Sequence, residues 1–230
     1  LAFSEAVADA LQHGRHLIAE AGTGTGKSFA YLLPAALHAE QHQGQGPVVI
    51  STRTIGLQEQ LEHKDLPFLH AVLPFEWSSV TAIGRNNYLC LRRMHQAERE
   101  QNLFEDPERH AQLRGIVEWS LSTKDGTRQD LESPPRPEVW EAVQAEHGNC
   151  LQRACKHFNQ CHWQRARRRM QTAQVLVVNH ALYFAALALR IAGASYLPAH
   201  RVVIFDEAHH LERTATESLG LRVGRSTVGW

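Results

Sequence analysis

The sequence predicts an α/β fold: a parallel sheet covered by helices and interrupted by a mainly helical insertion. Three observations carry this. Helical and apolar-strand segments alternate over the first eighty residues or so. Further apolar strands return only at Val175–Val178 and Val202–Phe205. All four cysteines (Cys90, Cys150, Cys155 and Cys161) fall in the gap between. Alternating helix and strand implies a parallel sheet, and a sheet that stops and resumes implies an insertion.

The elements follow in order. Leu1, Ala8 and Leu11 share one side of an amphipathic helix, set at Ser4–His13, and His16–Ala19 reads as a short strand. A glycine-rich turn then opens a helix from about Lys27 to Glu40. The Gly/Gln-rich turn 43–47 precedes the strand Val48–Ser51, and Gly56–His63 reads as helix. After Ile83 the alternation breaks. The stretch 84–172 carries charged helical segments and the breaker Ser133-Pro134-Pro135-Arg136-Pro137.

Composition bounds what such a chain does. Its 230 residues, 43% of them hydrophobic, can bury a sizeable core. No apolar run approaches the roughly 20 residues that span a bilayer, so no membrane is expected and the setting is cytoplasmic. The start, with Glu5 and Asp9, is no signal peptide, and without an initiator Met the expectation is a fragment. The 24 basic and 24 acidic side chains cancel, which excludes a dominant field for nucleic acid. Locally the balance differs: between Cys150 and Met170 stand Arg153, Lys156, Arg165, Arg167, Arg168 and Arg169 with no acid. That stretch is either a solvated helix face or a docking site for a polyanion.

The glycine-rich turn is Ala21-Gly22-Thr23-Gly24-Thr25-Gly26-Lys27-Ser28. Its glycines let backbone amides turn inward, and with the helix N-terminus they form an anion cradle. Lys27 is placed to reach β- and γ-phosphates, and Ser28 to ligate Mg²⁺. Ala21 stands where the strict pattern has Gly, and the glycines that shape the turn remain. The partner is Asp206-Glu207-Ala208-His209, after the strand Val202–Phe205. A carboxylate at the C-terminal end of a parallel strand faces the same crevice as the phosphate loop. Asp206 is expected to hold Mg²⁺, and Glu207 to orient or deprotonate the attacking water of ATP. Read alone, the acids are also a good helix N-cap.

Asp-Glu-Ala-His after such a loop resembles motif II of superfamily 2 helicases. Ser51-Thr52-Arg53-Thr54 with Leu57–Leu61 resembles motif Ia, which in that family touches the backbone of single-stranded DNA. Gly84–Cys90 and Val177-Val178-Asn179-His180-Ala181-Leu182 resemble segments of the DinG/YoaA branch of iron–sulfur helicases, related to XPD. The likeness runs from about Ala6 to Leu211 and is loosest between Cys90 and Cys150.

The spacing Cys150-x4-Cys155-x5-Cys161, with Cys90 upstream, does not by itself separate a [4Fe–4S] cluster from structural zinc. The resemblance implies a [4Fe–4S] cluster on these four. It further implies RecA-like P-loop lobe 1 in two parts, 1–83 and 173–215, an iron–sulfur insertion at 84–172, and the start of an arch-like insertion at 216–230. The implied activity is ATP-dependent, 5′-to-3′ unwinding of single-stranded or branched DNA, with DNA-stimulated hydrolysis in repair or replication. A second lobe supplies the rest of the ATP site, and a Gln-containing adenine motif lies upstream. Thr52, Arg53, Arg85, Arg167 and Arg168 are the DNA-contact candidates, with Phe158 and Trp163 either stacking bases or packing around the cluster. Two rival readings are a zinc-stabilised nucleotide- and DNA-binding module without turnover, and the helicase part of a nuclease–helicase fusion.

Overall fold

The computed structural model describes residues 1–22, 24–100 and 106–220. Thr23 of the phosphate loop and 221–230 of the expected arch segment lie outside the described residues. The chain divides into two compact units, residues 1–82 with those from 170 onward, and residues 83–169.

The first unit is built on a four-stranded parallel sheet. Its strands are β1 (Val48–Thr52), β2 (Ser79–Thr81), β3 (Val175–Asn179) and β4 (Val202–Phe205), in the order β2-β3-β1-β4. β1 is buried throughout, and β3 is buried except at Asn179. This is why both read as continuous apolar runs rather than alternating ones. Each fully buried Val or Ile contributes roughly 1.5–3 kcal/mol relative to exposure. Helices α1 (Ala2–His13) and α2 (Lys27–Gln41) pack together, bringing Val7, Tyr31, Leu32, Ala35 and Ala36 into the core with Ile50 and Val177. A continuous helical stretch connects β1 towards β2: α3 (Ile55–Gln60), a π-helical turn at Leu61–Asp65, and α4 (Leu66–Val72). Helix α9 (His180–Ile191) follows β3 directly, and α10 (Leu211–Leu219) comes after β4.

One expected strand does not form. His16–Ala19 carries no regular structure, and Ile18 is 100% exposed. A strand needs a neighbour to satisfy its ladder. Among the described residues none pairs with this segment, and β4 ends the sheet with only one neighbour. Conversely, β2 went unread in the sequence because it is three half-buried residues long.

The second unit is helical, with short 3₁₀ turns. Helices α5 (Leu91–Glu100), α6 (Pro107–Ser120) and α7 (Pro137–Val143) enclose a core of Leu89, Met94, Leu113, Ile116, Trp140 and Val143. Helix α8 (His162–Thr172) begins in this unit. Single bridges, Tyr88 to Thr127 and Leu89 to Gln144, pin the segment leading into Cys90.

Candidate nucleotide and metal sites

Parallel strands end on one edge, and that edge collects the expected site. β1, β3 and β4 run in register, Ser51 opposite Val178 and Phe205, and Thr52 opposite Asn179. Their next residues therefore emerge together: Arg53, His180 and Asp206. The Asp206 amide donates to the Ser51 carbonyl at 2.8 Å, extending the ladder by one rung.

The phosphate loop enters α2 through Gly24 and Gly26, at φ +75° and +77°. Those left-handed conformations are open to glycine and costly for most other residues. Thr25 Oγ1 donates to the Gly22 carbonyl at 2.8 Å, closing the turn. From the start of α2, Lys27 Nζ reaches Glu207 Oε1 at 3.1 Å. The hydrogen bond from Lys27, with its charge, holds the Glu207 carboxyl below the usual carboxylate range. Glu207 itself sits at φ 54°, ψ 44°. A non-glycine residue held there costs of order 1–3 kcal/mol and marks a site that the surroundings over-determine. Its amide donates to Asp206 Oδ1 at 3.0 Å, and Tyr31 Oη donates to Asp206 Oδ2 at 3.2 Å. The structure thus brings Lys27, Glu207 and Asp206 to one place, with Ser28 next to Lys27 in the first turn of α2. A glycine cradle, a lysine, a hydroxyl and two carboxylates are a donor set that fits a nucleoside triphosphate with Mg²⁺.

Two buried polar residues at this edge were missed in the sequence. His180 is 0% exposed, and its Nδ1 shares a 2.7 Å hydrogen bond with Ser51 Oγ. Burial lowers its pKa, while the nearby backbones of Asp206 and Glu207 act in the opposite direction. Gln58 donates to the Ala82 carbonyl at 3.2 Å and accepts from Asn179 Nδ2 at 3.2 Å. Asn179 also caps α9 by accepting from the Leu182 amide at 2.8 Å. A polar residue abutting an apolar strand was the available signal.

The motif Ia candidates separate. Arg53 is exposed, but Thr52 is 0% exposed and its hydroxyl donates to the Thr54 carbonyl, so its side chain is withheld from solvent. Thr54 caps α3, accepting from the Leu57 amide at 3.2 Å.

In the second unit the four cysteines are free and partly buried. Burial raises the Cys161 thiol above its ordinary value, and the neighbouring Cys90 and Cys150 thiols add to the effect. Cys90 and Cys150 are thus both near enough to Cys161 to be felt electrostatically. The Gln152 amide donates to Cys150 Sγ at 3.4 Å, from a backbone held at φ 48°. Among the described residues no three His, Cys, Asp or Glu side chains converge closely enough to hold an ion. Four thiols suit a soft metal or an iron–sulfur group, so donor chemistry fits although the positions are not drawn together.

The basic stretch is partly tied down. Arg165 donates to the Lys124 carbonyl and Arg169 pairs with Asp125, each at 2.7 Å. Arg167 and Arg168 are exposed. Arg85 lies over the Trp163 ring, 5.4 Å from its centroid, and Trp163 is buried against Tyr88. Trp163 is therefore a packing residue, while Phe158 is half-buried.

Residues 3–109 match the DEAD/DEAH box helicase family and residues 77–228 match DEAD_2. The chain is 37% identical over 242 residues to the ATP-dependent helicase DinG of Mycobacterium tuberculosis H37Rv, covering 97% of this chain and 36% of that protein. It is 35% identical over 226 residues to the ATP-dependent DNA helicase YoaA of Haemophilus influenzae, covering 96% and 34%. It is also 31% identical over 238 residues to the ATP-dependent DNA helicase DinG of Salmonella paratyphi A, covering 95% and 32%. The chain spans about a third of the length of these relatives.

Proposed function

We propose, from the premise that the chain belongs to the DEAD_2 family, that it is the first motor lobe and iron–sulfur subdomain of an ATP-dependent, 5′-to-3′ DNA helicase serving DNA repair or replication. The observation that carries this is the meeting of Lys27 and Glu207 at 3.1 Å, with Asp206 one residue away on the same strand end.

The geometry suggests how the site works. Lys27 and Glu207 pair at 3.1 Å. The triphosphate, carrying several negative charges, competes for Lys27 and draws its ammonium to the β- and γ-phosphate oxygens. The carboxylate of Glu207 is then released while its strained backbone keeps it aimed at the edge. It accepts a proton from a water that attacks the γ-phosphorus; the β–γ bridging oxygen leaves on ADP with the bonding electrons. Ser28 and Asp206 are the residues that would hold Mg²⁺, which when bound neutralises charge developing on the phosphates. Arg53, at the end of β1, is the exposed motif Ia cation for a DNA phosphate. Arg85, Arg167 and Arg168 are the corresponding candidates in the second unit.

Cys90, Cys150, Cys155 and Cys161 would hold the [4Fe–4S] cluster, which supplies a covalent anchor joining loops far apart in sequence. The residues between them, including the strained Gln152, orient the thiols.

The helicase reading is tested with the full-length protein on duplexes bearing a single 5′ or 3′ tail. ATP-dependent unwinding of the 5′-tailed substrate is expected. Unwinding of only the 3′-tailed substrate, or of neither, contradicts it.

A further inference from the structure

Tyr31 lies one helical turn beyond the phosphate loop, four residues after Lys27 and three after Ser28, so all three share a face of α2. Its side chain points inward and the residue is 3% exposed. The phenol does not end in the apolar core. It donates to Asp206 Oδ2 at 3.2 Å. Burial, and after it the Asp206 charge, push the phenol far above its usual range, so it remains a donor at every physiological pH.

The two oxygens of Asp206 are thus both engaged by the protein, Oδ1 by the Glu207 amide and Oδ2 by Tyr31. A carboxylate with one fixed oxygen still rotates about its last bond; with two fixed it has a single plane. Ser28 and Asp206 come from α2 and from the end of β4, and the Tyr31 phenol ties α2 to Asp206.

We propose that Tyr31 is a positioning residue that presets Asp206 for a divalent cation, so that cation binding, rather than phosphate binding, depends on its hydroxyl. This rests on the reading of the site as an Mg²⁺–nucleotide site. Cation ligation by Asp206 uses oxygen lone pairs left free by these two bonds, since a carboxylate accepts about four. The phosphate cradle of backbone amides and Lys27 is made without Tyr31 and should not sense its loss.

The test follows binding of a fluorescent ADP analogue to the full-length protein, once with Mg²⁺ and once with EDTA. In wild type Mg²⁺ is expected to tighten binding. Tyr31→Phe is expected to reduce that gain about tenfold, the effect of losing one hydrogen bond to a charged group, and to leave EDTA binding unchanged. In an Asp206→Asn background the same substitution is expected to have little further effect. Equal binding by Tyr31→Phe and wild type in both conditions, or an equal loss in both, overturns the proposal. Nucleotide binding by Lys27→Ala as tight as wild type would instead overturn the underlying site. Should Tyr31→Phe fail to fold, wild type carrying fluorotyrosine at position 31 serves. Its ¹⁹F resonance is expected to move with Mg²⁺ and the ADP analogue together but not with the analogue in EDTA, and indifference to Mg²⁺ overturns the proposal.

Discussion

The two units build their candidate sites in opposite ways. In the first, the functional groups already hold one another: Lys27 pairs with Glu207, and Tyr31 and the Glu207 amide hold Asp206. In the second, the thiols are held more loosely, Cys150 Sγ accepting only a long bond from the Gln152 amide at 3.4 Å. Cys161 is made harder to ionise by burial and by Cys90 and Cys150. Each unit has one described non-glycine residue at positive φ, and each lies at its site, Glu207 and Gln152. The lesson is about what determines geometry. Strand ends in a parallel ladder place side chains whether or not a ligand is present. Ligands on short loops are placed by the group they bind, because assembly of like groups is unfavourable until a metal compensates.

The sharpest way to break this contrast is at Glu207. Glu207→Gln in the full-length protein should lower ATP turnover by about 10²–10⁴-fold, the range for removing a general base, yet retain nucleotide binding in a direct titration. Lost binding would mean that the Lys27–Glu207 pair forms the cradle rather than waiting in it. The converse test is metal removal. Chelation of the anaerobically purified protein should bleach its colour and open residues 83–169 to limited proteolysis, with nucleotide affinity changing less than about twofold, under the 1.4 kcal/mol that makes a tenfold difference. Colourless protein with one stoichiometric zinc would remove the iron–sulfur assignment. Cys161→Ser should reproduce the loss of iron.

Smaller effects probe how the preset edge is held. His180→Ala should destabilise the first unit by about 1–3 kcal/mol, the penalty for leaving the buried Ser51 hydroxyl unpaired. Asn at 180, which can still meet that hydroxyl, should recover part of the loss in denaturant titrations. Thr54→Ala removes only the α3 cap and should cost about 1 kcal/mol. An equal cost at both positions would deny the buried Ser51–His180 bond its special weight.

Much of the first unit was legible because its signals are local and physical. Val48–Ser51, Val175–Val178 and Val202–Phe205 are apolar runs that read as strands, and each became one, the first two buried and the third, at the sheet edge, half-buried. The phosphate loop needed glycines where φ is positive, and Gly24 and Gly26 have it. What stayed hidden depends on neighbours remote in sequence. His16–Ala19 has strand composition but no pairing partner among the described residues. Tyr31 and His180 sit inside helical patterns where an aromatic or polar residue reads as filler; their meaning comes from Asp206 and Ser51, 175 and 129 positions away. Thr52 looked available for DNA because the motif suggests it, and its burial in the strand could not be read from the motif. The cysteine spacing left the metal open for the same reason, since irregular 3₁₀ turns between Cys150 and Cys161 carry no periodicity from which to read distances.

The central claim, that this lobe forms one wall of an ATP-driven DNA motor, is tested most directly by phosphate release from the full-length protein. Rates are measured with and without single-stranded DNA, for wild type and for Lys27→Ala. Single-stranded DNA should accelerate wild-type release, and Lys27→Ala should abolish it in both conditions. Unchanged turnover by Lys27→Ala, or release indifferent to DNA, would contradict the claim.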